Sequence, residues 1–394
     1  MTSMSFLPHL NLSRRAALLG LAASFTLGRA SLALASIPGD KRFVVVLLRG
    51  AMDGMSAVEP YGDADFASLR GPLALDTAQR LDLGGFFGLH PNFAGLHAMY
   101  ANGEAGFVHA TAGAYRTRSH FEAQDYMEAG VAQRIDNGWL NRAVATLGIP
   151  GGRDIALSMG LAAPLLLRGP APVQAWAPEK FATPDTDLLA RIAALAARDP
   201  IIGPPFANMV AQRGGPAPDM AGTPGNDNDF AVLADAAGKL LAADNGPRVA
   251  ALEIGGWDTH QAQTRRLEVQ FKILDAGFVA LKTALGPAWK STIVLAITEF
   301  GRTAHINGTN GTDHGTAGVT FLAGGALAGG RVLGTWPGLG ASKLFENRDL
   351  APTTDVRSIA KGLLQDHLGV RAASLGQIFP GSGDASAMRG LVKA

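Results

Sequence analysis

Phe43-Val44-Val45-Val46-Leu47-Leu48 runs without a break into Arg49-Gly50-Ala51-Met52-Asp53-Gly54. Six consecutive apolar residues, half of them valine, lie between the basic pair Lys41-Arg42 and a glycine-bearing turn. A run of that length and β-branched content reads as a strand buried on both faces, the kind found in a mostly parallel sheet. Asp53 then falls at the carboxyl end of the strand. Ligands of open α/β sheets bind beyond those ends.

Further elements fit the same scheme. Ala105–Ala110, Val249–Ile254, Thr292–Thr298 and Val319–Ala323 read as strands, and Ile155–Leu167 as a strand followed by a loop. Ser119–Glu128 reads as a helix, with Ser119 at the N-cap and Glu122 at capping-box spacing. Helices are also expected at Asp185–Arg198, Phe230–Ala243, Gln261–Leu285 and Val356–Leu368, and residues 200–228 form a Pro-, Gly- and Asn-rich loop. Strands alternating with helices imply a layered α/β domain with right-handed crossovers. No internal repeat or composition break divides residues 36–394.

Composition removes several function classes. The 394 residues include no cysteine, which excludes disulfides, thiolate metal sites and a cysteine nucleophile. Lys+Arg number 34 and Asp+Glu 33, so no cationic surplus exists to displace the counterions of nucleic acid. Charged residues are 17% of the chain, below the usual figure of about 25%.

Residues 1–35 carry Arg14, Arg15 and Arg29 and no acid. A polar start leads through Ser13-Arg14-Arg15 into an apolar stretch and then to Ala33-Leu34-Ala35. That layout reads as a twin-arginine secretory signal peptide. The apolar stretch is short and interrupted for a membrane span, and an uncleaved N-terminal anchor is the alternative reading. Removal of 1–35 moves the formal charge from +1 to −2. The expectation is a periplasmic or secreted protein that meets the twin-arginine translocase during export, with no stable membrane span in its mature form.

The chemistry-bearing residues stand after strands. Asp53 follows the first, and Gly255-Gly256-Trp257-Asp258-Thr259-His260 follows 249–254. Glu299-Phe300-Gly301-Arg302 follows 292–298, and Gly311-Thr312-Asp313-His314-Gly315 precedes 319–323. Imidazole and carboxylate without thiolate suit Zn²⁺, Mn²⁺, Ca²⁺ or Mg²⁺. Asp258, His260, Asp313 and His314 could hold one ion, and Asp53 and Glu299 a second. Paired ions can clamp an in-line displacement at phosphorus or sulfur. In Arg116-Thr117-Arg118-Ser119-His120-Phe121, Ser119 is the candidate nucleophile at a helix N-terminus, and Arg118 a cation for an anionic group. Read structurally, the same serine is only an N-cap and the arginines are solvated. His90, His97 and His109 read as packing or capping residues. No G-x-S-x-G, H-E-x-x-H, Walker or Rossmann signature is present.

Five segments together resemble the DUF1501 family: Leu48–Gly54, Arg118–Tyr126, Gly255–His260, Thr298–Arg302 and Thr312–Gly315. Its members are secreted bacterial proteins related in fold to the alkaline phosphatase/sulfatase superfamily. The resemblance spans nearly all of residues 40–370. It implies a layered α/β sandwich with a mostly parallel central sheet and two metal sites, one from Asp258, His260 and His314, the other from Asp53, Ser119 and Glu299. Glu299-Phe300 stands where the superfamily has an Asp-His pair, which leaves the set one imidazole short. Asp258 and His260 are also closer together than in the superfamily pattern. The expected activity is metal-dependent hydrolysis of a small phosphate or sulfate ester, with Ser119 attacking and Arg302 or Arg118 binding the anion. A non-catalytic exported binding or assembly protein is the alternative, and a phosphomutase-type transferase a weaker one.

Overall fold

The computed structural model describes residues 41–147, 155–160, 162–178, 229–244 and 246–394. The expected signal segment, the helix at 185–198 and the loop at 200–228 lie outside these residues. A nine-stranded sheet organises the rest. Its strands run in the order 331–333, 105–112, 318–323, 292–298, 42–48, 249–254, 156–159, 173–176, and 354–355 pairs with 105–112 as well. The first-quoted run is the strand Arg42–Leu48, parallel to its two neighbours Val249–Ile254 and Thr292–Thr298. Only the strand Gly318–Ala323 runs against its neighbours. The sheet is therefore mixed but mostly parallel, with helices on both faces.

Side-chain alternation along the central strand accounts for this layering. Val44, Val46 and Leu48 enter one core, and Phe43, Val45 and Leu47 the other. All six are buried. The first core is covered by Asp229–Ala242 and by Gln263–Leu285, whose Leu267, Phe271, Leu274, Phe278 and Leu281 recur at helical spacing. The second is covered by Trp139–Thr146 and Val356–Asp366. A strand buried on both faces cannot show period-two polarity, which is why its sequence is continuously apolar.

Expected and observed elements agree closely along the main sheet. The run 105–110 extends to Ala112, and the last long helix ends at Asp366 rather than 368. The short strands 173–176, 331–333 and 354–355 lacked a sequence signal, as did the helices Ala94–Ala101 and Trp139–Thr146. A separate three-stranded sheet joins 58–59, 88–89 and 81–82. Such pairings are held by tertiary context rather than by local pattern. No helix among the described residues is long and apolar enough to cross a membrane.

Topology brings the site together. Strands 42–48, 249–254 and 292–298 are parallel, so residues 49–54, 255–260 and 299–303 leave the sheet at one edge. Strand 318–323 is antiparallel to 292–298, so its entry, 312–317, lies at that edge too. Strand 105–112 is antiparallel to 318–323, and its exit, 113–119, joins them.

Candidate metal centre

Close backbone packing seats the loops. Gly50 has φ +118°, and a Cβ there would lie 2.7 Å from the Asp258 amide nitrogen. The first strand's exit can therefore lie against Trp257-Asp258 only as glycine. Trp257 is buried and donates from Nε1 to the Ile254 carbonyl at 3.1 Å, which anchors the base of its loop. Thr303 donates to the Asp313 carbonyl at 3.0 Å, and a bridge pairs Arg302 with His314. The carbonyl of His260 accepts from Asn307 Nδ2 at 2.9 Å and Thr309 Oγ1 at 2.7 Å.

Three imidazoles converge at this edge. His314 Nε2 lies 3.0 Å from His120 Nε2 and 3.0 Å from His260 Nε2. Asp258 Oδ1 lies 3.0 Å from His260 Nε2 and 3.2 Å from His314 Nε2, and Oδ2 lies 3.6 Å from His120 Nε2. One ligand atom each from His120, Asp258 and His314 falls within 4.8 Å of the others. The opposite ring nitrogens all have acceptors. His120 Nδ1 meets Glu299 Oε1 at 2.8 Å, His314 Nδ1 the Arg118 carbonyl at 2.9 Å, and His260 Nδ1 Asp313 Oδ1 at 3.2 Å. These partners assign the proton to Nδ1 in each ring and leave three Nε2 lone pairs facing inward.

That arrangement fits a divalent cation. Nitrogen atoms 3.0 Å apart attract only if a proton or a cation lies between them. The hydrogen bond to Glu299 chiefly raises the pKa of His120, whereas burial chiefly lowers that of His314. A cation would satisfy the lone pairs of His120 and His314 together with Asp258, and carboxylate or carbonyl partners on Nδ1 are the usual outer support of ligating histidines. Asp258 is kept ionised. Burial acts to raise its pKa, but the charges of Arg302 and then His260 outweigh that and lower it. Glu299 is likewise lowered, because bonds from His120, Gln124 and the Gly50 amide overcome its burial.

The expected site residues divide into three groups. Asp258, His260 and His314 meet at the centre. Glu299 and Asp313, expected as ligands, stand instead behind His120 and His260 as Nδ1 acceptors. Asp53, expected at a second ion with Ser119 and Glu299, does not share a site with them. It is buried and accepts from Ser56 Oγ at 3.0 Å, Gln263 Nε2 at 2.5 Å and the Arg70 guanidinium. Arg70 supplies there the positive charge that an ion would supply.

Both expected anion-binding arginines carry ion pairs, although Nε and Nη1 of Arg302 are buried with no hydrogen-bond partner among the described residues. Arg302, 0% exposed, donates from Nη2 to Asp258 Oδ1 at 2.9 Å and lies behind the carboxylate. Arg118 pairs with Asp349 at 2.7 Å and with Glu346 at 2.6 Å. Ser119 occupies the N-cap position of the helix His120–Ala129, but its hydroxyl does not cap it. Sequence reasoning passed over His120. Its ring packs against Phe300 at 4.9 Å, the residue in the position of the absent imidazole. The signal was available: His120 follows the exit of the strand at 105–112, a strand end not weighed with the others.

Fold and site together define a layered α/β protein with three imidazoles and one carboxylate at the carboxyl edge of its sheet. The chain belongs to the family described as "Protein of unknown function (DUF1501)", whose model matches residues 114–379. Solved structures similar to it include alkaline phosphatase from the Antarctic bacterium TAB5, at 10% identity and TM-score 0.36, covering 74% of this chain and 92% of that one. Phosphonate monoester hydrolase of Agrobacterium radiobacter is similar at 12% identity and TM-score 0.38, covering 84% and 74%. The PsFucS1 sulfatase from Pseudoalteromonas sp. is similar at 14% identity and TM-score 0.33, covering 74% and 64%. No curated protein matches the chain.

Proposed function

We propose that the protein is an exported, metal-dependent hydrolase of a phosphate or sulfate ester. The convergence of His120, His260 and His314 Nε2 on Asp258 carries this reading. His120, Asp258 and His314 would hold the ion, with His260 beside them. Two imidazole nitrogens and one carboxylate suit zinc better than magnesium or calcium, which prefer all-oxygen sets. When bound, such an ion supplies Lewis acidity and positive charge to an ester oxygen. Asp258 and His260 are half-exposed, so the centre faces solvent and a small substrate can approach. Ser119, one residue before His120, is the nucleophile in this reading, and no described residue hydrogen-bonds its hydroxyl. Glu299, Asp313 and the Arg118 carbonyl hold the three rings in orientation. The segment 1–35 directs export.

A second reading is a metal-binding exported protein without turnover. The commitment of Asp53 to Arg70 favours it, because the described residues hold no second cluster of metal-ligating side chains. Elemental analysis paired with a panel of aryl phosphates and sulfates separates the two. The hydrolase reading expects bound zinc and turnover, both lost in Asp258→Ala and His314→Ala. Protein that stays metal-free and inactive after zinc supplementation contradicts it. Bound zinc without turnover, with Ser119→Ala unchanged, establishes the second reading.

A further inference from the structure

The geometry points to Arg348 as the residue that recognises the tetrahedral oxyanion of the ligand, an inference that rests on, and sharpens, the hydrolase reading. Three arginines border the centre. Arg302 is wholly buried behind Asp258, with Nε and Nη1 unpartnered among the described residues, and Arg118 is held by Asp349 and Glu346. Arg348 is 40% exposed and donates only Nη2, to the His314 carbonyl at 2.8 Å. Its Nε lies 3.8 Å from Asp349, beyond a hydrogen bond, and Nη1 has no bond to any described residue. A guanidinium with unused coplanar donors binds phosphate or sulfate oxygens in pairs. The nearby carboxylates hold it only loosely: Asp349 Oδ1 makes no hydrogen bond among the described residues and lies 3.8 Å from Nε, within ion-pair range. Asp313 is held by His260 and Asn307, and the other oxygen of Asp349, Oδ2, by Arg118 and Thr316.

The element that carries Arg348 is unusual. Glu346 and Asn347 have φ of 53° and 54°, two consecutive left-handed residues of which neither is glycine. The turn is closed by reciprocal Phe345 and Asp349 backbone bonds of 2.8 and 3.0 Å. Such conformations are costly for residues other than glycine and persist where the surroundings enforce them, often at ligand sites. Here the turn sends its next two side chains to the wall of the centre: Arg348 to His314 and Asp349 to Arg118.

The test is calorimetric titration of the zinc-supplemented full-length protein with inorganic phosphate and, in a parallel arm, inorganic sulfate. Zinc content and thermal stability are measured alongside. The inference expects at least one of the two anions to bind. Arg348→Ala should weaken that binding about tenfold or more, the loss of charge-assisted bonds, with zinc content unchanged. If the alanine variant loses zinc or folds poorly, Arg348→Lys decides. It keeps a donor for the His314 carbonyl but lacks the fork, so it should bind the anion more weakly than the parent. Binding that is unchanged in the deciding variant overturns the inference, and so does failure of the parent to bind either anion. Arg348-dependent binding without ester turnover leaves the inference standing and removes the hydrolase reading. Turnover with Arg348-independent anion binding does the reverse.

Discussion

His120 is tied on both ring nitrogens, to Glu299 through Nδ1 and to the cluster through Nε2. The consequence is testable at the outer partner. Glu299→Gln keeps the volume and replaces a charged acceptor with a neutral one. Zinc affinity should fall about 10- to 100-fold, the range for such supporting groups, as read by competition with a chromophoric chelator. Unchanged affinity would show that Glu299 does not support the ligand. The sequence alone named Asp258, His260 and His314, because each follows or precedes a legible strand. It could not divide ligands from supports, since an aspartate that ligates and one that orients a histidine look alike in one dimension. His120 was passed over because Ser119 and the arginines beside it drew the reading toward a nucleophile and an anion site. The same blindness covered Arg70, whose pairing with Asp53 spans 17 residues and has no local pattern.

At the level of elements, the short helix Gly54–Ala57 is capped by Asp53, whose carboxylate accepts from Met55 N and Ser56 N. Asp53 thus fixes the first strand's exit and neutralises buried Arg70. Asp53→Ala should destabilise the fold by about 3–5 kcal/mol, the cost of an unpaired buried charge. Urea unfolding measures this, and the chains that remain folded should keep their zinc. Loss of zinc from folded protein would restore Asp53 as a ligand. The main strands were legible because burial on both faces leaves an unmistakable apolar run. The strand 331–333 and the turn at 345–349 were not, because long-range pairing and a left-handed backbone decide them.

Across the whole molecule, buried neutral histidines set a pH limit. Burial lowers His109 and His367 to about 4 from 6.5. His109 Nε2 donates to the Val58 carbonyl while Nδ1 accepts from the Ala110 amide, so a second proton would break a bond. The unfolded chain takes up protons as pH falls through 6.5, and the folded chain only near 4. The stabilisation is therefore complete above pH 6.5 and lost progressively as pH falls toward 4, on the order of 3 kcal/mol per histidine. Urea midpoints should drop steadily across that window, and a constant midpoint would contradict the assignment. The sheet that buries these rings also gathers five strand termini at one edge, and the central claim concerns what they hold. The most direct test is the zinc-to-protein ratio of the zinc-loaded protein, measured for the parent and for His120→Ala after identical dialysis. The account predicts about one zinc ion per parent chain and little or none in the variant. Equal zinc in both, or none in the parent, would contradict it.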